Sequence, residues 1–330
     1  MMTVRHLLPL PVRRAAVRVV SARRAARVER QLAELAGDDR PILAGPWLGE
    51  VGFELLYWVP FLRWFAARFE VGPERLIAVT RGGAGSWYGA IAGRSHDVLS
   101  FLGEDEYRAR NAARNGHLGE QKQVALTRVD EEILATVRRR EARDVAVLHP
   151  SLMYYLFAPY WWGHAPVDLV RRYTSYAPLT APAIEAELPA DYTAVKFYFN
   201  DCFRSTPAHR AFVGRTLSAL EQDGAVISLS TGLTLDDHAP CEPDIAAMQS
   251  IRHLLSPATN LLVQSAVVAR ARRLVGTYGG FAYLAPFYGV PAISYFTDAG
   301  GFSMRHLDLA RDVLRSWKRP ELLEVREVPA

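Results

Sequence analysis

The sequence predicts an α/β protein of two halves, each built on a parallel sheet, and three observations carry that expectation. Short apolar runs alternate with longer helical stretches: Ile42–Ala44, Arg75–Thr80 and Asp144–Pro150 in the first half, then Tyr192–Phe199, Ala225–Ser230, Leu274–Val275 and Ala292–Phe296 in the second. Alternation of this kind builds parallel sheets joined by helical crossovers. A proline-spaced stretch containing Pro166, Pro178, Pro182 and Pro189 separates the two series. At 330 residues, half of them hydrophobic, the chain is long enough for two cores. The expected division is a basic leader over 1–38, a first domain over 39–165, a linker over 166–190 and a second domain over 191–330.

Composition narrows the function classes. The formal charge is only +4, and the basic excess sits at the N-terminus, where no acidic residue precedes Glu29. The body is close to neutral, so a nucleic-acid footprint across it is not expected. Arg5, Arg13, Arg14, Arg18, Arg23, Arg24, Arg27 and Arg30 lie among Ala, Val and Leu in a stretch that reads as helix from about Val12. The arginines do not keep to one face, yet the charge suits an anionic membrane surface. The leader is expected to be dispensable for folding. Cys202 and Cys241 match no zinc spacing, and the nine histidines form no helical metal pair. A reducing compartment and no built-in metal site follow. Segments 145–167 and 274–297 lack charged residues, but their prolines and glycines divide each into strand plus helix rather than a membrane span. With no sustained apolar centre near the N-terminus to make a secretory signal, the expected location is cytoplasmic, with peripheral membrane contact.

In the first half, Ile42–Ala44 runs into a glycine-containing turn and then an aromatic helix in which Phe53, Leu56, Tyr57, Phe61 and Trp64 fall at helical spacing, the pattern of a core face. Pro60 should kink that helix or begin a second segment. Glu50 and Glu54, four residues apart, lie near the helix start, where they complement the dipole or act chemically. Arg75–Thr80 ends at Arg81-Gly82-Gly83, residues 104–141 are charged and mostly helical, and His149 closes the strand 144–150. The aromatic run Met153 to Trp162 reads as packing or as a hydrophobic acceptor surface.

The second half opens with the strand 192–199 and the loop Asn200 to Arg204. Helix 207–222, the strand 225–230 and the loop Thr231-Gly232 to His238 follow, and helix 261–271 starts after Asn260, a cap by residue type. The organising stretch comes next. Leu274-Val275 stops at Gly276, and Gly279-Gly280 allows close backbone approach where a helix begins at Phe281. Gly289 ends that helix, Pro291 bars its continuation and Ala292–Phe296 resumes as strand, with helix 303–319 closing the domain. Glycines at such a turn serve tight packing, or they bare the first N–H groups of the helix toward an anion, most naturally a phosphate.

Ligands of open α/β sheets bind beyond the carboxyl ends of the strands. By that rule the first half offers Gly49, Glu50, Arg81, Gly82, Gly83 and His149 as acid, base or backbone contacts. The second offers Asn200, Asp201, Arg204, Thr231, Gly232, Asp236, Asp237, Gly276, Thr277, Tyr278, Gly279, Gly280 and Asp298.

The stretch from Asn260 to Ile293, with Leu274-Val275, Gly276-Thr277-Tyr278-Gly279-Gly280 and Gly289-Val290-Pro291, resembles the corresponding part of the GT-B glycosyltransferases. That resemblance implies two Rossmann-like domains with parallel sheets facing a cleft, and a sugar nucleotide held by the C-terminal one. It implies further that Gly276 to Gly280 meet the donor diphosphate and that Arg204 resembles the arginine used on the β-phosphate by fucosyltransferase-like members; heptosyltransferase-like members share the fold. The turn Gly49 to Gly52 resembles the loop facing the acceptor, which makes Glu50 the first base candidate, with Glu54 and His149 behind it. Tyr278 stands where many members have His, residues 281–289 lack their acid, and the paired-glutamate signature of common retaining members is missing. The expected activity is metal-independent inverting transfer of a sugar from a nucleotide-diphosphate donor substrate, with no separate cofactor. The acceptor is a glycan or other hydroxyl compound of the cell envelope or of a polysaccharide. A sugar-nucleotide epimerase of the same shape and a non-catalytic nucleotide-binding scaffold docked at the membrane are the alternatives.

Overall fold

A computed structural model describes residues 10–118, 123–233, 235, 239–240 and 248–328, with the side chains of 10–21, 117–118 and 239–240 outside that description. Asp236, Asp237 and Cys241 lie outside the described residues. The first sheet contains β1 (Ile42–Ala44), β2 (Leu76–Thr80), β3 (Arg94–Asp97) and β4 (Ala146–Leu148), all parallel, in the order β3-β2-β1-β4. Its helices are α1 (Leu10–Gly37), α2 (Val51–Phe53), α3 (Val59–Arg68), α4 (Glu104–Leu118), α5 (Arg128–Glu141) and α6 (Ser151–Trp161). The second series comprises β5 (Tyr192–Lys196), β6 (Tyr198–Phe199), β7 (Ala225–Ser228), β8 (Ala239–Pro240), β9 (Gln249–Ser250), β10 (Arg273–Thr277), β11 (Ala292–Phe296) and β12 (Leu323–Glu327). Six of these form a parallel sheet ordered β12-β11-β10-β5-β7-β9, while β6 and β8 pair antiparallel beside it. The helices here are α7 (Asp168–Arg171), α8 (Pro207–Gln222), α9 (Asn260–Arg270), α10 (Gly280–Phe287) and α11 (Met304–Ser316). The α/β fold class with two parallel sheets is the one expected.

Strand order locates the sites. From β5 the chain runs outward through β7 and β9, then returns to the other side of β5 and runs outward again through β10, β11 and β12. The crevice between β5 and β10 is therefore the switch point where such sheets bind ligands. In the first sheet the same reversal falls between β1 and β4.

The central strands form because their side chains are buried on both faces: Ile42, Leu43 and Ala44, like all five residues of β2, are buried. Three edge strands, β3, β9 and β12, escaped sequence reading. β3 (Arg-Ser-His-Asp) and β12 (Leu-Glu-Val-Arg-Glu) are largely exposed, so neither carries an apolar run. The chain accordingly closes on β12, and α11 ends at Ser316, earlier than expected.

Pro60 acts as anticipated, through a wider turn. It has no N–H to give to the Leu56 carbonyl, and residues 54–58 open into a single π turn in which Val59 N–H reaches the Glu54 carbonyl. The Tyr176 hydroxyl donates to the freed Leu56 carbonyl at 2.8 Å.

The leader needs correction. Val28 and Leu32, one turn apart on α1, are buried in the main core, Arg75 donates to the carbonyls of Ala36 and Asp38, and Tyr173 donates to Glu29 at 2.6 Å. Burying a leucine side chain contributes about 1.5–3 kcal/mol. The C-terminal part of α1 is thus packed into the fold, and a truncation that removes it is expected to destabilise the protein. Apolar residues at i and i+4 were the available signal, obscured by the surrounding arginines.

Candidate active site

The loop from β1 to α2 is fixed from several sides before any function is considered. Gly45 N–H donates to the Leu148 carbonyl and Trp47 N–H to the Val79 carbonyl, so the loop stays attached to both neighbouring strands. Gly45 sits at φ +133°, where a Cβ would collide with the Val79 carbonyl, and only glycine fits. Buried Gln123 accepts from Leu48 N–H at 2.9 Å and donates to the Pro46 carbonyl at 2.8 Å. Buried Arg81 donates to the Gly49 carbonyl at 2.6 Å. Glu50 follows directly, with extended backbone at the N-cap of α2 and its side chain exposed. The Glu50 carboxylate thus stands on a fixed loop beside the β1–β4 switch point.

Glu54 and His149 are arranged differently. Glu54 is fully buried and accepts from Tyr88 Oη at 2.5 Å and Thr80 Oγ1 at 3.0 Å, both through Oε1, while Oε2 has no hydrogen-bond partner. Burial pushes its carboxyl up to about 7, against the opposing pull of the Arg81 charge and the two hydroxyl donors. The spacing that placed Glu50 and Glu54 on one face is real, with Glu54 N–H bonded to the Glu50 carbonyl at 3.1 Å, but one carboxylate reaches solvent and the other the core. His149 is also turned inward. Its Nδ1 meets Ser151 Oγ at 3.0 Å and its Nε2 lies 3.7 Å from buried Asp130, too long for a hydrogen bond but close enough for ionic attraction. Burial raises the Asp130 carboxyl, yet His149 and the Thr127 donors outweigh it and hold it below the ordinary value. His149 joins α5 to the end of β4.

In the second half the glycine turn is packed more tightly than an open anion site would be. A Cβ on Gly276 would strike the Lys196 carbonyl of β5, and one on Gly279 would strike the Tyr198 hydroxyl. A Cβ on Gly280 would lie 2.7 Å from Gly52 N and 2.9 Å from Val51 Cβ. Thr277 Oγ1 donates to the Tyr198 carbonyl at 2.7 Å and accepts from Tyr198 N–H at 3.0 Å. Tyr278 is buried, its hydroxyl paired with that of Tyr283, and burial raises its pKa. Val51 and Gly52 of α2 lie against Gly280 at the start of α10, the Ala282 N–H donates to the Gly279 carbonyl, and Gly279 and Gly280 remain half-buried.

Beside that turn, Asn200 Oδ1 accepts from the N–H groups of Cys202 and Phe203, Cys202 Sγ contacts the Tyr278 carbonyl at 3.4 Å, and Thr297 N–H donates to the Cys202 carbonyl. This tight loop projects Arg204 outward, largely exposed, with its guanidinium 3.2 Å from Asp298. Thr231 and Gly232 follow β7, one strand over. Thr231 Oγ1 accepts from Leu233 N–H, and Gly232 adopts φ +69°. Among the described residues no cluster of three or more metal-ligating side chains occurs.

Gly82 and Gly83, which sequence reading placed among the ligand contacts, join the two halves of the fold. The Gly82 carbonyl accepts from Leu261 and Leu262 N–H at 2.6 and 3.2 Å, capping α9 from the opposite sheet, and Gly83 lies against Leu262. Asn260 is therefore not the cap; it is the first helical residue, and Thr259 occupies the cap position. Lys196 went unnoticed as a lone cation in an apolar strand. It ends β5 at the switch point, donates to Gln264 Oε1 at 2.6 Å and lies 4.3 Å from the Phe281 ring centroid.

No protein-family model and no curated protein matches the chain. Among solved structures it is similar to the ADP-heptose LPS heptosyltransferase II of E. coli, with 12% identity, 88% of this chain and 90% of that chain covered, and a TM-score of 0.43. It is similar also to the glycosyltransferase SnogD from Streptomyces nogalater, with 12% identity, 88% of each chain covered and a TM-score of 0.41. A UDP-GlcNAc 2-epimerase from Methanocaldococcus jannaschii gives 12% identity, 88% of each chain and 0.40.

The buried carboxyl yields a test. A carboxyl raised from 4.5 to about 7 in the folded state keeps its proton while the unfolded chain has lost it, so stability falls as pH rises from about 4.5 to 7 and levels off above. The loss is about 3 kcal/mol. Glu54→Gln should flatten that slope in denaturant unfolding measured across this range; a variant with the wild-type slope would contradict the assignment.

Proposed function

We propose that the protein is a metal-independent glycosyltransferase that moves a sugar from a nucleotide diphosphate to a hydroxyl acceptor, a cell-envelope or polysaccharide glycan. The observation that supports this reading most is the contact between two switch points: the loop bearing Glu50 lies, through Val51 and Gly52, against the Gly279-Gly280 turn. In this reading the donor occupies the β5–β10 crevice. Arg204 and the first amides of α10 meet the diphosphate, with Thr231 and Gly232 flanking the nucleotide. Val51 and Gly52 pack against Gly280, so the donor diphosphate would lie directly beside α2. Glu50 takes the acceptor proton as the acceptor oxygen bonds to the anomeric carbon, and the nucleotide diphosphate leaves with inversion, its growing charge met by Arg204 and the amides. With His149 and Glu54 both directed inward, Glu50 is the base.

The membrane face belongs to the same proposal. α1 exposes Arg23, Arg24, Arg27 and Arg30 and packs against α6, where Tyr155 and Trp162, seven residues apart on one face, are 53% and 66% exposed. Arginines beside interfacial aromatics suit an anionic bilayer surface. Among the described residues no helix is long and apolar enough to cross a membrane.

Two measurements test these readings. Glu50→Gln should keep donor affinity and lose about 10²–10⁴-fold in turnover, Arg204→Ala should weaken donor binding, and chelator should change neither; retained turnover in Glu50→Gln would overturn the base assignment. Product from donor without acceptor would point to the epimerase instead. Sedimentation with anionic vesicles should fall when Arg23, Arg24, Arg27 and Arg30 are changed to Gln, and unchanged sedimentation would remove the membrane contact.

A further inference from the structure

A pocket lies away from the β5–β10 crevice, between α3, the short 3-10 turn Ala84–Tyr88 and the connecting segment 178–182, with a volume of about 400 Å³. Its walls tie the two halves together. The linker is laid across both: Ser175 N–H donates to the Pro60 carbonyl of α3, and Leu179 N–H to the Phe287 carbonyl of α10. Opposite, Trp87 crosses to α9 through Nε1–H and the Ser265 hydroxyl at 3.0 Å.

Arg63 is the single charged residue of the lining. Among the described residues its guanidinium makes no hydrogen bond, ion pair or ring contact. Half-burial draws its pKa below the ordinary value, the mark of a cation partly stripped of water without compensation. Nearby, the Tyr288 hydroxyl is buried beside Ser86, Trp87 and Ser265, yet none of them lies in hydrogen-bonding geometry with it. Leu179, Pro182 and Ala90 supply apolar wall. An unpaired planar cation, the Ser86 and Thr180 hydroxyls and a partly open, largely apolar wall of metabolite size together describe a ligand rather than a packing fault.

We propose that this pocket is a binding site for a small organic monoanion, a carboxylate held by the Arg63 fork with its apolar body against Leu179, Pro182 and Trp87. One cation with no lysine or second arginine in the lining matches a single negative charge and disfavours a polyphosphate. Ring or chain carbons replace water on the apolar wall. Because the ligand would touch both the linker and the turn that follows the Gly82-Gly83 contact, its binding stabilises the joined arrangement of the two halves.

The test uses the full chain with benzoate, benzamide and inorganic phosphate, read by thermal shift and by tryptophan fluorescence. Benzoate should bind saturably and raise the melting temperature, while neutral benzamide and phosphate should do so far less. Arg63→Gln should weaken benzoate binding by about tenfold or more, the loss expected for a charge-assisted pair. Ala90→Trp, which fills the space and leaves Arg63 intact, should abolish it, with far-UV circular dichroism of both variants matching the wild type. Equal binding of benzoate and benzamide, wild-type affinity in Arg63→Gln, or tighter binding of phosphate would overturn the proposal. Glu50→Gln should leave benzoate binding unchanged, so the outcome is independent of the donor site.

Discussion

The Gly82 carbonyl accepts the first amides of α9 from across the interface, and Arg81, one residue earlier, donates to the Gly49 carbonyl of the loop that carries Glu50. Three consecutive residues therefore set both halves of the candidate site. Helix amides at an N-terminus must find acceptors, and here the acceptor comes from the other sheet, which makes the capping of α9 and the docking of the two halves a single event. Gly82 at φ +65° and Gly83 at φ +81° are what allow the backbone to turn its carbonyl outward at that point. Aromatic contacts extend the join: Tyr57 Oη meets His306 Nδ1 at 2.6 Å, and Tyr160 donates to the Arg305 carbonyl.

Beneath this join lies a buried charge group. Glu54, Arg81 and Asp97 share the space under the end of β2, where burial raises both carboxyls and Asp97 compensates by accepting from Gly83 and Leu99 N–H. Removing Arg81 would leave Glu54 without its counter-charge and the Gly49 carbonyl without its donor at once, so the electrostatics of the core and the position of the Glu50 loop are coupled. That coupling explains why a titratable carboxyl is retained in a core otherwise filled by Trp, Tyr and Phe.

Much of the fold could be read from the sequence because central parallel strands are apolar on both faces; β1, β2, β5, β10 and β11 all announce themselves this way. The edge strands β3, β9 and β12 could not, since their exposed residues carry no such pattern. The glycine turn shows a different limit. Gly276, Gly279 and Gly280 were legible as places of close approach, but composition does not say what approaches. The answers, the Lys196 carbonyl, the Tyr198 hydroxyl and Gly52, are long-range contacts that local reading cannot supply. Likewise the four-residue spacing of Glu50 and Glu54 was correct while their opposite environments depended on the wider π turn and on Tyr88, thirty-four positions away in sequence. Lys196 became visible only when strand order defined the switch points.

The central claim is that the β5–β10 crevice and the Glu50 loop form one site that a nucleotide diphosphate enters. Hydrogen exchange of the full chain with and without nucleoside diphosphates tests this most directly. The account predicts slower exchange in residues 279–282, 200–204 and 51–53 on binding. Unchanged exchange in all three segments under saturating nucleotide, or protection confined to the first sheet, would contradict it.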